Sequence, residues 1–269
     1  MKNRELKNKG FKLSFSALVI PVALIIAVAV FELIMGNPSN FQGNSHENAA
    51  LPGNYFGVVY KGGFIVPLLM TLLLTVLTFT VERFIAIRKA AGKGAVADFV
   101  HYIKQLLDKN DIATATASCD KQKGSVANVI KSVLTKYTQL EKDATQTKDQ
   151  KLTALQKEVE EATSLELPAL EENLVILATI TSLATLMGLL GTVLGMIRAF
   201  SALANAGAPD SVALAQGISE ALINTAFGIG TASLAVIFYN FFTTRIDKLT
   251  YSIDEAGFSI VQSYAANHA

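Results

Sequence analysis

The chain has 269 residues, of which 51% are hydrophobic and 17% charged, with no tryptophan and a formal net charge of +1. It is too apolar for an ordinary soluble α/β domain and too charged in its middle to be membrane throughout. The expected class is therefore all-α, a polytopic membrane protein with long transmembrane helices extending into a cytoplasmic helical domain. A single cysteine, Cys119, excludes an intrachain disulfide and any cysteine-based zinc site, and it reads as a small buried core residue.

Residues 1–14 are basic, with Lys2, Arg4, Lys7, Lys9 and Lys12 against Glu5. The apolar run 15–35 that follows is long enough to cross a bilayer, with Pro21 in its first turns. A basic start and an apolar run also describe a secretory signal. The length of the run and the lack of a small-x-small cleavage site favour a retained helix. Residues 36–63 turn to Asn, Gly, Ser and Pro and read as a periplasmic loop ending in a short interfacial segment, Tyr55 to Tyr60. A second span covers 64–87, closing on Glu82, Arg83, Arg88 and Lys89, where Glu82 and Arg83 are expected to snorkel or pair.

The block 88–173 collects most of the lysines, and the positive-inside rule places it in the cytoplasm. Helical periodicity marks three amphipathic stretches: Phe99, Ile103, Leu106 and Leu107; Val126, Val129, Ile130, Val133 and Leu134; Leu152, Leu155, Val159 and Ala162. Thr145 to Asp149 reads as a turn, and Pro168 as a kink or restart before the membrane. A transmembrane helix over 174–204, a periplasmic turn over 205–211 and a second helix over 212–243 then form an antiparallel hairpin. Arg245 and Lys248 mark the cytoplasm again. Ile246, Leu249, Ile253 and Ala256 continue a C-terminal amphipathic helix over 244–269. Four spans put both termini inside.

The hairpin carries the informative residues. Small side chains recur in steps of three and four along one face of each helix: Ala184, Gly188, Thr192, Gly195 and Ala199 on the first, Gly217, Ala221, Thr225, Gly228, Ala232 and Ala235 on the second. Gly191 and Gly195 add a Gly-x-x-x-Gly spacing. Such spacings let helix backbones approach closely and are common in membrane helices without further function, so Gly188, Gly191, Gly195, Gly217, Ala221 and Gly228 are packing residues. With residue 208 as the turn, Thr192 lies sixteen positions before it and Thr225 seventeen after, which sets both hydroxyls at one depth near the bilayer middle. A lone membrane threonine usually bonds a carbonyl of its own helix. Two at one level suggest a shared polar layer.

Glu220 is the only ionisable residue inside the last span, where an uncompensated charge costs at least about 2.5 kcal/mol. Arg198, ten positions before the same turn, is at nearly the depth of Glu220, twelve after it. Two readings stand: an ion pair that locks the hairpin, and a Glu220 that lines a wet path or orders a partner. Five residues of helix turn Glu220 and Thr225 about 140° apart, so they serve different surfaces. Asn224 shares the face of Glu220 and could hydrogen-bond a second helix. His46, His101 and His268 lack ligand spacing, and neither a phosphate loop nor a catalytic triad can be assembled. No enzyme activity, metal, cofactor or nucleic-acid partner is expected.

Two motifs at this spacing, Gly-Leu-Leu-Gly-Thr-Val-Leu-Gly-Met at 188–196 and Gly-Ile-Ser-Glu-Ala-Leu-Ile-Asn-Thr-Ala-Phe-Gly at 217–228 with Ile237, Tyr239 and Asn240 beyond, resemble the MotA/TolQ/ExbB proton-channel family, most of all its ExbB branch. The stretch 110–129, with Cys119, Asp120 and 124–128, also resembles the cytoplasmic part of ExbB proteins. The resemblance implies a pentamer in the bacterial inner membrane, its inner wall made by the last two helices around an ExbD-like single-span partner. In that family the partner's Asp carries the proton and the motor drives a TonB-like protein. The resemblance gives Thr192 and Thr225 the role of pore-lining threonines and Glu220 that of a pore-facing glutamate. Two departures stand out: the extra span 15–35, expected on the rim, and Arg198, where a less basic residue is expected. The rivals are a TolQ-like envelope motor, a MotA-like stator and a non-conducting scaffold.

Overall fold

The computed structural model describes residues 15–46, 48–204 and 210–267. The basic segment 1–14 and most of the expected turn 205–211 lie outside the described residues. The architecture is all-helical apart from an isolated bridge between Phe41 and Ala50. The helices are α1 (Phe15–Ala29), α2 (Tyr55–Tyr60), α3 (Ile65–Ala91), α4 (Val96–Asp108), α5 (Ile112–Gln122), α6 (Gly124–Lys142), α7 (Lys148–Glu171), α8 (Leu174–Ala204) and α9 (Ser211–Asn267). Four of them, α1 with its extension to Met35, α3, α8 and α9, are long and apolar enough to cross a membrane. The chain divides into two units, residues 1–80 with 176–237 and residues 81–175 with 238–269.

In the first unit, α1 continues as a π-helical segment, Val30–Met35, and buries Ala27 and Phe31 against Val66 and Met70 of α3. The outward side chains Leu18, Ile25 and Leu33 are exposed, as lipid-facing residues would be. The connection 36–63 is more ordered than the expected loop. Asn40 is buried, and its amide donates to the carbonyls of Ile34 at 2.7 Å and Met35 at 2.9 Å, which satisfies the end of the π segment. Asn54 donates to Asn40 at 2.9 Å and accepts from the Gly57 N–H as the N-cap of α2. Tyr60 stacks on Phe31 with centroids 4.6 Å apart and meets Phe41 edge-on at 5.5 Å. Polar capping and aromatic packing give a glycine- and asparagine-rich stretch a defined conformation.

The second unit is a helical bundle. Phe99, Val100, Ile103, Leu106 and Leu107 form the buried face of α4, while Val126, Ile130, Val133 and Leu134 lie on that of α6. Leu155 and Ala162 of α7 and Ile246, Leu249, Ile253 and Ala256 of α9 are also buried. Tyr137 and Tyr264 meet edge-to-face with centroids 4.7 Å apart. Cys119 is buried, and burial pushes its thiol up to about 12. At Gly92 a Cβ would come within 2.1 Å of the Lys123 carbonyl oxygen, so only glycine permits the crossing of the α3–α4 connection over the start of α6.

The last span and the C-terminal helix are one element, since α9 runs unbroken from Ser211 to Asn267 with no proline in it. Two boundaries differ from the sequence reading. Pro168 lies inside α7, and the restart falls at Asn173, which takes a φ of 64°. The expected Thr145–Asp149 turn lies two residues earlier, at 143–147, since Thr147 caps α7 through a capping box with Gln150. Arg83 does not snorkel. It is 1% exposed, pairs with Glu82, and donates to the Leu170 carbonyl at 3.3 Å, serving the last turn of α7.

Candidate functional site

The small residues of α8 and α9 face each other within one chain. A Cβ built on Gly195 would lie 2.7 Å from both the Ala221 nitrogen and the Gly217 oxygen, and one on Gly228 would lie 2.6 Å from the Ala184 oxygen. Gly217 approaches Ala199 as closely, Gly188 meets Gly228, and Gly191 receives the Asn224 side chain. Backbone contact at these glycines leaves no room for a methyl group, and alanines between them keep the two helices close.

At the middle of the seam the hydroxyls of Thr192 and Thr225 are hydrogen-bonded to each other. The Gly188 carbonyl oxygen lies 3.2 Å from Thr192 Oγ1 and 3.4 Å from Thr225 Oγ1. Two hydroxyls own two protons. One proton serves the Thr–Thr bond and the other the Gly188 carbonyl, so what this layer has left to offer is acceptor lone pairs. Both threonines are half-buried, and Leu189 and Leu222, one turn away on their helices, are exposed. The layer therefore opens onto an apolar face.

Glu220 occupies a different surface. It is 5% exposed, and both of its carboxylate oxygens lie 2.7 Å from Arg198 Nη1. The pair rests on the turn before α3: a Cβ on Gly63, which has a φ of +77°, would come within 2.6 Å of Glu220 Oε1 and 3.4 Å of Arg198 Nη1. One helical turn on, Asn224 donates from Nδ2 to the Gly62 carbonyl at 2.8 Å. Asn224 is fully buried and its Oδ1 has no protein partner among the described residues. Glu220 and Asn224 thus share a face, as their spacing of four requires, and its counterpart is the Gly62–Gly63 turn. The sequence reading missed that turn as part of the site. Its signal was the Gly-Gly pair standing immediately before an apolar helix. No group of three or more potential metal ligands occurs among the described residues.

These features define a polytopic helical membrane protein whose tightly packed hairpin carries a polar layer and a buried carboxylate paired with an arginine. Residues 123–255 match the model of the MotA/TolQ/ExbB proton channel family. The match covers just under half of the chain. It is 40% identical over 86 residues to an ExbB-like biopolymer transport protein of Synechocystis sp., covering 31% of this chain and 41% of the relative. It is 40% identical over 88 residues to the Tol-Pal system protein TolQ of Haemophilus influenzae, covering 33% of this chain and 39% of the relative. It is 36% identical over 86 residues to the biopolymer transport protein ExbB of Pseudomonas putida, covering 32% of this chain and 26% of the relative. The chain thus spans well under half the length of these relatives.

Proposed function

We propose that this chain is an ExbB-like subunit of a proton-motive-force-driven motor in the bacterial inner membrane, with both termini in the cytoplasm. Five copies would surround the helices of an ExbD-like single-span protein and energise a TonB-like protein for outer-membrane import. The observation that carries the reading is the Thr192–Thr225 layer on an exposed apolar face. With its protons committed internally, the layer accepts a hydrogen bond from a carboxylic acid in its protonated form and offers none to a carboxylate. A partner helix presenting an intramembrane Asp would find there a site that discriminates its two protonation states. The extra helix α1 would sit on the rim of such an assembly.

The test is Thr192→Val and Thr225→Val in cells. Each change removes a hydroxyl at nearly constant volume, where a membrane hydrogen bond averages about 0.6 kcal/mol, so the complex should assemble. Energised uptake should be lost in both variants. Unchanged uptake in both would sink the conducting role of the layer. A second reading, a TolQ-like envelope motor, is supported by the 40% identity to TolQ of Haemophilus influenzae, equal to that with the ExbB-like protein of Synechocystis sp.. Deleting the chain separates the two: defective envelope constriction with intact import would select the TolQ-like role.

A further inference from the structure

The second unit contains a cavity of about 550 Å³ between the end of α3, the start of α4 and the middle of α9. Its walls are apolar, formed by Phe84, Ile87, Phe241 and Leu249 among others. Three cations, Arg88, Arg245 and Lys248, stand on its edge, and no carboxylate lines it. None of the three forms an ion pair among the described residues. Arg245 lies over the Phe241 ring, 5.3 Å from its centroid, so this cation borders the apolar wall directly. The first turn of α4 opens here as well: Ala95 and Val96 line the cavity, and the N-cap residue Ala95 has no side chain to accept from the leading N–H groups.

An apolar slot rimmed by three cations without ion-pair partners among the described residues suits an amphiphile with an anionic head. Both helices also change character at this level. On α3 the exposed Val81, Phe84 and Ile85 give way to Arg88 and Lys89, and on α9 the exposed Phe241 gives way to Arg245 and Lys248. That transition marks the surface of a bilayer. The chain's own segment 1–14 is an unsuitable occupant, since its five basic residues would face three like charges.

We propose that this cavity holds one anionic phospholipid, its phosphate between Arg88, Arg245 and Lys248 and its first acyl carbons against Phe84, Ile87 and Phe241. The lipid would bind as a stoichiometric ligand, distinct from the bulk bilayer, and the site is independent of the Thr192–Thr225 layer.

The experiment uses the full-length protein, reconstituted in nanodiscs of phosphatidylcholine doped with phosphatidylglycerol, then released into mild detergent for native mass spectrometry. The wild type should retain one phosphatidylglycerol per chain. Each cation near a membrane surface changes affinity about fivefold, so Arg245→Gln should weaken retention by roughly that factor and the Arg88→Gln/Arg245→Gln/Lys248→Gln variant should abolish it. Lys89→Gln/Lys93→Gln removes nearby charges that do not line the cavity and should leave retention unchanged. Equal losses in the two multiple variants, equal retention of phosphatidylcholine, or displacement of the lipid by millimolar inorganic phosphate would each overturn the proposal. The last result would assign the site to a free anion.

Discussion

The Arg198–Glu220 pair is asymmetric, and the asymmetry has a measurable consequence. The Glu220 side chain is 7% exposed while that of Arg198 is 53% exposed, although each carboxylate oxygen is 2.7 Å from Arg198 Nη1. Arg198→Ala strands a buried carboxylate against the Gly63 turn. The cost expected for a buried pair broken in this way is about 3 kcal/mol. Glu220→Ala leaves a guanidinium that its own chain only half encloses, and the cost is smaller. The double alanine variant should resemble Glu220→Ala alone, because removing the carboxylate removes what Arg198 compensated. Denaturant unfolding of the four proteins in nanodiscs measures this cycle. Equal costs for the two single variants, or a larger one for Glu220→Ala, would refute the burial argument. The same set decides between roles: a pure lock restores transport in the double variant, whereas a Glu220 that lines a wet path leaves it inactive.

Gly191→Ala should destabilise the hairpin by about 1–3 kcal/mol, since its Cβ would fall 2.3 Å from that of Asn224, whereas Gly230→Ala, with nothing within 4 Å, should be neutral or stabilising by up to about 1 kcal/mol. Unfolding of both variants in nanodiscs checks the contrast, and equal effects would contradict the seam. The Thr114 backbone N–H, followed by the Thr114 side chain, holds the Asp111 carboxyl below its usual range at the start of α5. A depressed folded pKa contributes stability that is present above the unfolded value of 3.8 and lost as pH falls through the lower folded value. Asp111→Asn keeps a cap but should flatten the acid limb below pH 4 in the thermal melt of the protein. Cys119, with its thiol raised to about 12, should resist alkylation at neutral pH until the protein unfolds. Labelling by iodoacetamide in the native state would contradict that burial.

Much of the hairpin was legible because its information is periodic. Steps of three and four fixed which faces of α8 and α9 are small, and a count from one turn placed Thr192 beside Thr225 and Arg198 beside Glu220. The amphipathic faces of α4, α6 and α7 followed from the same periodicity. What escaped the sequence depends on contacts distant along the chain. The Gly62–Gly63 pair marks a turn, but its partners Glu220 and Asn224 lie some 160 residues away and no local pattern names them. The ordering of 36–63 rests on Asn40 reaching back to carbonyls five and six residues earlier, a polar role hidden in a composition that reads as loop. Pro168 lies inside α7, and the carbonyls of Ala169 and Leu170 just beyond it are served by Arg83, a donor from a distant helix that no local pattern announces.

The two polar features of the hairpin divide the labour between opposite surfaces. Glu220 and Asn224 are spent on the chain itself: one carboxylate, one arginine and one amide bind the Gly62–Gly63 turn and so fix where α3 begins. A group held that tightly is poorly placed to change state during a transport cycle unless the pair opens. Thr192 and Thr225 have a bond to each other and to Gly188, yet remain half-buried with acceptor capacity directed at an apolar face. In a membrane without a second chain that face would meet only lipid, where unused lone pairs gain nothing. A donor on another helix gives the layer a partner, so a moving proton is better sought at the threonines than at the glutamate.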